Sequence, residues 1–182
     1  MFTGSRTKSP GEPLSPFDIA SLAATSVLRF SRFAWSDSFH LRRDRLGKSY
    51  RIDRGGEYTI FRESVLSRKP QNRVVLVVGF RLRFIRSIAA LHWLFQRVCI
   101  LTTPFWSGFR GFRVKLWMVD KKTKNYLGIY DWATSRDAKA YADTLVVVLH
   151  PLSTANSVWY EIEAGQDFEA YLDARRVDAG SR

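Results

Sequence analysis

The stretch "GFRGFRVKLWMVDKKTKNYLGIYDWATSRDAKAYADTL", residues 108–145, holds the pattern that decides the fold. Within it, "FRVKLWMVD" and "YLGIYDW" are rich in β-branched and aromatic residues, and the polar turn "KKTKN" separates them. This predicts a β-hairpin. Thr134 or Ser135 can then cap a helix, with Asp137 favourably placed in its first turn. A hairpin followed directly by a helix is typical of an α+β domain.

The regular pattern continues on both sides of this stretch. Upstream, "RVVLVVGFRLRF" predicts a strand from Arg73, and "IRSIAALHWLFQRVCILTT" predicts a helix that Pro104 ends. Downstream, the helix should fail near His150, which precedes a proline, and "SVWYEIEAG" predicts a fourth strand. The order is β-α-β-β-α-β over about residues 73–165. We therefore expect an α+β, ferredoxin-like fold with helices on one face of a four-stranded antiparallel sheet.

The segments outside this domain differ in composition. Residues 1–72 are predicted to be an N-terminal extension with a disordered start, an amphipathic helix at about 16–35 and a basic linker. Residues 166–182 are predicted to be a C-terminal tail with a short helix. Because "SRKPQN" at 67–72 is typical of a linker, we expect the domain to fold without residues 1–70. The amphipathic helix has three readings: packing on the domain, docking to a membrane or protein partner, or targeting.

The charge of the chain limits its partners. The formal net charge is +12, and residues 71–119 carry eight Arg or Lys and no Asp or Glu. A basic chain favours nucleic acids, anionic membranes or acidic small molecules. Cys99 is the single cysteine, which excludes an intramolecular disulfide and a cysteine-based metal site. No apolar run is long enough for a transmembrane helix. We expect a cytoplasmic protein, with organellar targeting by the N-terminal segment as the alternative.

Alternation along the strands assigns side chains to the two faces of the sheet. The face on the helices is predicted to hold Leu76, Val78, Phe80, Phe112, Val114, Leu116, Met118, Leu127 and Ile129. The free face is predicted to hold Arg81, Arg83, Arg113, Lys115, Trp117, Tyr130, Trp132, Trp159 and Glu161. Cations and large aromatics on one face form neither a dry core nor a plain solvent face. Two uses fit: a dimer interface with charged edges, or a pocket for an aromatic, acidic ligand.

The quoted stretch resembles the dimeric α+β barrel superfamily, in particular antibiotic-biosynthesis-monooxygenase-like and YdhR-like proteins. The matching features are "PFWSGFRG", "GIYDW", "RDAKAYADTL" and a final "SVWYEI", within about residues 73–165. The resemblance implies a homodimer whose two sheets pack face to face, with a pocket beside each sheet. It also implies chemistry known in some relatives, which oxidise aromatic compounds with O₂ and without metal or cofactor. Other relatives cyclise their substrates or degrade haem.

Candidate site residues follow from these patterns. Asp131 and Glu161 are candidate bases, although Asp131 shares the parity of Leu127 and Ile129. His92 is read either as a packed helix residue or as a proton shuttle or haem ligand. The free-face cations would stabilise an enolate or phenolate as its charge develops. The predicted substrate-binding residues are Arg81, Arg83, Arg113, Lys115, Trp117, Tyr130, Trp132 and Trp159. We expect no metal, because three scattered histidines and a single cysteine form no ligand pattern. We also expect no cofactor, and phosphate-binding loops and Rossmann glycines are absent from the sequence.

Three functions compete at this point. The first is a small cofactor-independent enzyme, monooxygenase-like or cyclase-like, that acts as a homodimer on an aromatic, acidic small molecule. The second is a non-catalytic subunit or scaffold that docks through the N-terminal helix and basic linker. The third is an RNA-binding module whose sheet aromatics stack on bases. The strand motif of that class is missing, so a nucleic-acid partner is not expected.

Overall fold

The structure of the protein is a computed structural model. It describes residues 39–52, 54–66, 74–83 and 89–177, and also six residues between 21 and 31, which are helical. The remainder of the helix predicted at about 16–35 lies outside the described residues, as does the predicted disordered start. No helix of the described part of the chain is long and apolar enough to cross a membrane.

Eight strands and four helices are present in the described residues, together with one short 3-10 turn. In chain order they are β1 Phe39–His40, β2 Ser49–Arg51, β3 Glu57–Leu66, β4 Val74–Phe80, α1 Ala89–Leu101, α2 Thr103–Ser107, β5 Phe112–Asp120, β6 Tyr126–Trp132, α3 Ser135–Leu149, the 3-10 turn His150–Leu152, β7 Trp159–Ala164, α4 Phe168–Asp173 and β8 Arg176–Val177.

The middle of the sheet confirms the predicted fold. Four strands are hydrogen-bonded in the order β7-β4-β6-β5, and every pair is antiparallel. With α1 and α3 as the two connections, this is the ferredoxin-like βαββαβ arrangement. The predicted cap of α3 is also present, because the backbone N–H of Asp137 donates to Thr134 Oγ1 over 3.1 Å. The fold class is therefore α+β, as the sequence indicated.

Strands from both ends of the chain extend this sheet beyond β5. β3 pairs with β5 over most of its length, and β2 and β8 follow, which gives the order β7-β4-β6-β5-β3-β2-β8. β1 pairs with the far end of β3. Ile60 of β3 is 1% exposed, so this strand supplies core residues as well as hydrogen bonds. That packing speaks against the expectation that residues 1–70 are dispensable, while the domain boundary at residue 72 stays a prediction.

Both faces of the sheet are buried within the chain. On the helix-facing side, α1, α2 and α3 cover an aromatic cluster; its sheet residues include Leu76, Val78, Trp117, Tyr130 and Trp132. On the second face, residues of β2, β3 and α4 cover an aliphatic cluster; its sheet residues include Val75, Val77, Leu116, Met118, Leu127 and Ile129.

The predicted faces were correct for β4 and wrong for most of β5 and for β6. Leu116, Met118, Leu127 and Ile129 lie on the second face, and Trp117 and Tyr130 lie against the helices. Alternation separates the two sets of residues but does not say which set meets the helices. The wrong choice followed from the assumption that only apolar residues would face the helices.

A β-bulge breaks the alternation at Arg113. Phe112 is opposite Trp132 and Val114 is opposite Asp131, so Arg113 is the extra residue in β5. Phe112 therefore packs with the helix-facing cluster, whereas Val114 packs against the second face. The second face was predicted to be free and to form a dimer interface. Residues of the same chain cover the second face. The homodimer therefore stays a prediction, but an uncovered sheet face no longer supports it.

Candidate functional site

A cavity lies between the helix-facing side of the sheet and the helices α1, α2 and α3. Its volume is about 100 Å³, counted as the space open to the centre of a water-sized sphere. A single buried water needs only about 10–15 Å³ by this measure, so the cavity has room for a small organic molecule. Its walls are mainly aromatic: Phe61, Phe80, Phe95, Trp106, Trp117, Tyr126 and Tyr130.

Among the described residues, Lys115 is the one lysine, arginine, aspartate or glutamate in the wall of this cavity. The alternation of β5 turns Leu116 to the second face and therefore turns Lys115 toward the helices. The side chain is 2% exposed, and its Nζ lies 3.2 Å from Tyr141 Oη. Nζ also lies 3.1 Å from the centre of the Trp117 ring and 5.0 Å from that of Tyr130. The amine is thus held among aromatic faces and one hydroxyl.

Burial strongly lowers the pKa of Lys115. Desolvation is the largest cause, and the positive charge of Arg62 lowers the pKa of Lys115 further. The aromatic rings oppose this shift, because a desolvated cation–π contact contributes about 2 kcal/mol. Removing an ammonium from water costs several kcal/mol, and none of the described residues in the cavity wall is a carboxylate that could compensate for this cost. The balance favours the neutral amine, which can accept a proton.

Two tyrosines link Lys115 to the rest of the aromatic cluster. The Tyr141 hydroxyl contacts Lys115 Nζ, and the Tyr141 ring packs edge-on against the Tyr130 ring, with the ring centres 5.1 Å apart. Burial raises the pKa of both phenols, so both stay protonated. Burial likewise raises the pKa of the Cys99 thiol, to about 12, which excludes a reactive thiolate there. Lys115 is therefore the group in the cavity wall that is best suited to take up a proton.

The structure brings together only part of the predicted site. Lys115, Trp117 and Tyr130 line the cavity. Trp132 belongs to the same cluster, with its ring 4.9 Å from that of Tyr141, but it is not part of the cavity wall. These predicted partners do converge, but on the helix-facing side rather than on a free face.

The predicted bases lie elsewhere. Arg113 Nη1 is 3.5 Å from Asp131 Oδ1, and this pair is away from the cavity. Burial raises the pKa of Asp131 to about 6, although Arg113 lowers it. Glu161 lies on the outer strand β7 and pairs with Arg54 over 2.6 Å.

The remaining predicted residues do not join the cavity either. The Arg54 guanidinium lies 4.5 Å from the centre of the Trp159 ring, which packs with the second-face cluster. Arg81 and Arg83 are exposed beyond the end of β4. The backbone of His92 lies in α1, and its side chain is outside the described residues.

Several residues of the site were missed in the sequence. Neither Tyr141 nor Trp106 was singled out in the sequence, yet Tyr141 supplies the hydroxyl that contacts Lys115, and Trp106 lines the cavity. Arg62 was not singled out either, although a β-bulge in β3 places Arg62 opposite Trp117, on the helix-facing side of the sheet. Among the described residues, no group of three His, Cys, Asp or Glu side chains is arranged to hold a metal ion.

Comparisons with known proteins return structural neighbours only. No protein-family profile and no curated protein sequence matches the chain. One neighbour is an uncharacterised ferredoxin-fold protein from Listeria monocytogenes related to antibiotic biosynthesis monooxygenases; it is 17% identical, covers 63% of this chain and 67% of its own, and has a TM-score of 0.44.

Two further neighbours are of the same kind. A monooxygenase-like protein from Listeria innocua is 13% identical, covers 64% of this chain and 68% of its own, and has a TM-score of 0.42. A heme-degrading enzyme from Listeria monocytogenes is 12% identical. The match covers 75% of this chain and 93% of the chain of that enzyme, and the TM-score is 0.43.

Two of these three neighbours are described as monooxygenase-related or monooxygenase-like, as are the proteins that the quoted stretch resembles. At such identities and TM-scores the likeness carries no information about substrate or mechanism. The side chains of the cavity are what bear on function.

Proposed function

We propose that the protein is a small cofactor-independent enzyme, monooxygenase-like or cyclase-like, that acts on a phenolic or enolic aromatic compound. The observation that carries this proposal is the buried amine of Lys115, which faces an aromatic cavity and has no carboxylate partner in the part of the chain that the structure describes. Such a site disfavours cations, because it already holds a group that is costly to protonate. An acidic ligand reverses that cost, since the transferred proton creates an ion pair inside the cavity.

Lys115 is the proton acceptor in this mechanism. A ligand ring packs between the aromatic walls, and its acidic O–H or C–H lies near Nζ. The amine takes the proton and becomes an ammonium, and the ligand becomes a phenolate or enolate. The new cation lies over the rings of Trp117 and Tyr130, and the new anion is stabilised by the ammonium at short range.

The anion can then follow two routes. With O₂ as oxidant, a ring methylene beside a carbonyl gains a peroxide at carbon, and loss of water leaves a new carbonyl. The net change is R₂CH₂ plus O₂ giving R₂C=O plus H₂O. Without O₂, the same carbanion attacks a carbonyl of its own molecule, which forms a carbon–carbon bond and closes a ring. Oxygen consumption separates the monooxygenase-like route from the cyclase-like route.

The competing functions have less support in the geometry. An RNA-binding sheet presents its aromatics to bases, whereas helices cover the rings of Trp117 and Tyr130 here. A scaffold that docks through its N-terminal helix would use residues such as Val27 and Leu28, which are exposed. That docking role and homodimer formation are compatible with an enzyme, and sedimentation of the full chain tests the dimer directly.

The experiment measures ionisation of a bound phenol. 4-Nitrophenol changes its absorbance when it loses its proton, so its spectrum reports proton transfer in the site. The wild-type protein should bind it as the phenolate at a pH where free ligand is mainly neutral. Lys115→Met keeps the length of the side chain and should bind the neutral phenol instead. Lys139→Met, which changes an exposed lysine paired with Asp143, is the matched control and should behave as wild type.

Two results bear on the proposal in opposite ways. Ionisation that depends on Lys115, together with one O₂ consumed per anthrone oxidised to anthraquinone, supports the monooxygenase-like enzyme. A bound phenol that stays neutral in the wild-type protein, or one that ionises equally in the Lys115→Met variant, contradicts the role of Lys115.

A further inference from the structure

A second cavity adjoins the first one, between β3 and α1. Its volume is about 340 Å³ by the same measure, and it is more open than the aromatic cavity. Two guanidinium groups, one amide and two aromatic rings line it: Arg62, Arg97, Gln96, Phe61 and Trp93. None of the described residues in this wall is acidic. The second cavity is thus positively charged, whereas the walls of the first are almost entirely apolar.

A β-bulge in β3 places Arg62 in this position. Ile60 is opposite Met118 and Arg62 is opposite Trp117, so Phe61 is the extra residue of the strand. Direct cross-strand partners have Cβ atoms about 4.5–5.5 Å apart on the same face. Arg62 therefore shares the helix-facing side with Trp117, the ring that contacts Lys115. Without the bulge, simple alternation would place Phe61 on this side and Arg62 on the second face.

Neither arginine of the second cavity has an ion-pair partner among the described residues. Arg62 is half-buried, and its Nε has no hydrogen-bond partner there. Burial lowers the pKa of Arg62, which shows that its charge is poorly solvated. The Arg97 guanidinium lies 4.8 Å from the centre of the Trp93 ring and is otherwise exposed. Unpaired donors of this kind favour an oxyanion, which guanidinium groups bind through two parallel hydrogen bonds.

The two cavities lie side by side and share one lining residue, Phe61. Gln96 of the second cavity lies near enough to the hydroxyl of Tyr126, which lines the first, to lower the pKa of Tyr126 against the larger, opposite effect of burial. Arg62 is near enough to Lys115 to lower its pKa. Trp117 Nε1 is buried and has no hydrogen-bond partner among the described residues. The two cavities share a wall at Phe61, so a molecule whose ring fills the first would reach the guanidinium groups of the second by passing this side chain.

We propose that Arg62 and Arg97 form a binding subsite for the carboxylate of an aromatic acid whose ring occupies the aromatic cavity. This inference rests on the proposed function for the position of the ring and adds the class of substrate, an aromatic hydroxy acid. The carboxylate binds the guanidinium of Arg62 and accepts a further bond from Arg97 at the open end. The phenolic end of the same molecule then lies toward Lys115, which takes its proton.

The test compares 6-hydroxy-2-naphthoic acid with its methyl ester. The two have the same ring and the same phenol, and they differ in the carboxylate alone. Titration calorimetry with wild-type protein should give tighter binding of the acid by about 10- to 100-fold, because a hydrogen bond to a charged group contributes about 1.5–3 kcal/mol. Arg62→Met should remove this preference by weakening the acid and leaving the ester unchanged. Arg97→Met should reduce it by roughly tenfold.

Arg110→Met is the matched control. Arg110 is exposed and lines neither cavity, so its loss should leave the preference for the acid intact. Because Arg97 is exposed on α1, its variant remains informative even where Arg62→Met lowers the yield of folded protein. Equal affinity of the wild-type protein for acid and ester would overturn the subsite. The subsite would also be overturned if Arg62→Met and Arg97→Met reduced the preference for the acid no more than Arg110→Met does.

Failure of the subsite is distinguishable from failure of the proposed function. Ionisation of bound 4-nitrophenol needs no carboxylate and reports on Lys115 alone. If that ionisation occurs while acid and ester bind equally, the proposal of an arginine subsite is wrong and the role of Lys115 as proton acceptor is supported. If the acid is preferred and the phenol stays neutral, the subsite stands as a binding site and the role of Lys115 is wrong.

Discussion

The two faces of the same sheet bury their side chains by different means. On the second face, Val75, Val77, Leu116 and Ile129 are 0% exposed and pack against other apolar groups. On the helix-facing side, Lys115 is almost as deeply buried. Among the described residues, the charged side chain that acts on its pKa is another cation, Arg62. The second face is packed for stability. The helix-facing side retains unpaired polar groups beside a cavity, which is typical of a binding site.

The largest expected effect concerns how the second face is completed. A chain that begins at residue 39 should unfold cooperatively, because it keeps β3 and the residues that cover the second face. A chain that begins at residue 72 should lose cooperative unfolding, because it lacks Ile60 and leaves the edge of β5 unpaired. Circular dichroism with urea tests both. Cooperative unfolding of the shorter chain would restore the expectation from the sequence that residues 1–70 are dispensable.

Neighbouring residues of β5 provide a second contrast. Leu116→Ala removes a fully buried side chain from the second face and should lower the free energy of unfolding by about 2–5 kcal/mol. Lys115→Met replaces a buried, poorly compensated amine by an apolar chain of similar length and should raise that free energy. Urea denaturation at pH 7 compares them. Destabilisation by Lys115→Met as large as that by Leu116→Ala would mean that Lys115 is a structural residue.

The pH dependence of this contrast has a defined sign. The pKa of Lys115 is well below its ordinary value of 10.5 in the folded chain, so between those two values the unfolded chain binds more protons. The free energy of unfolding of the wild-type protein therefore rises with pH across that window, by up to about 1.4 kcal/mol per pH unit. The Lys115→Met variant lacks this contribution. The advantage of the variant should shrink as the pH approaches 10.5.

A pair of glycines gives the smallest contrast. A Cβ atom on Gly128 would lie 2.6 Å from the hydroxyl oxygen of Tyr130, which is 2% exposed and packed against Tyr141. A Cβ atom on Gly79 would overlap the ring of Trp159, which is half-buried on an outer strand and can turn away. Gly128→Ala should thus cost about 1–3 kcal/mol of unfolding free energy, and Gly79→Ala should cost less.

Denaturation of both glycine variants, together with 4-nitrophenol binding, provides the measurement. Only Gly128→Ala should also weaken ligand binding, since Gly128 and Tyr130 line the cavity. The expected contrast would be contradicted if the two variants lost the same unfolding free energy and if neither changed ligand binding.

The sequence predicted the four strands and two helices of the ferredoxin-like domain and their order, because hydrophobic periodicity and capping residues are local properties. It did not predict β1, β2, β8 or α2. It also predicted that Lys115, Trp117 and Tyr130 lie on the same face of the sheet, because alternation along each strand is local too. It could not predict that they face the helices, because this depends on the long-range packing of β3 and α4 over the second face.

The positions of Arg113 and Arg62 were beyond simple alternation. Each lies at a β-bulge, where one extra residue shifts the register of the strand. The arginines that we propose as the carboxylate subsite, Arg62 and Arg97, therefore differ from those that the sequence predicted, Arg81, Arg83 and Arg113. The irregular pattern of "EYTIFRESVL" was the available sign of the bulge in β3, but it does not tell which residue is the extra one.

The charge state of Lys115 is the measurement that tests the account most directly. NMR of protein labelled at the lysine Cε carbons follows each amine during a pH titration, with Lys115→Met assigning the signal and the exposed Lys139 as internal reference. We expect Lys115 to titrate well below Lys139 in the free protein, and its pKa to rise when 6-hydroxy-2-naphthoic acid binds. A Lys115 signal that titrates together with the exposed lysines and does not respond to the acid would contradict the assignment of Lys115 as the proton acceptor.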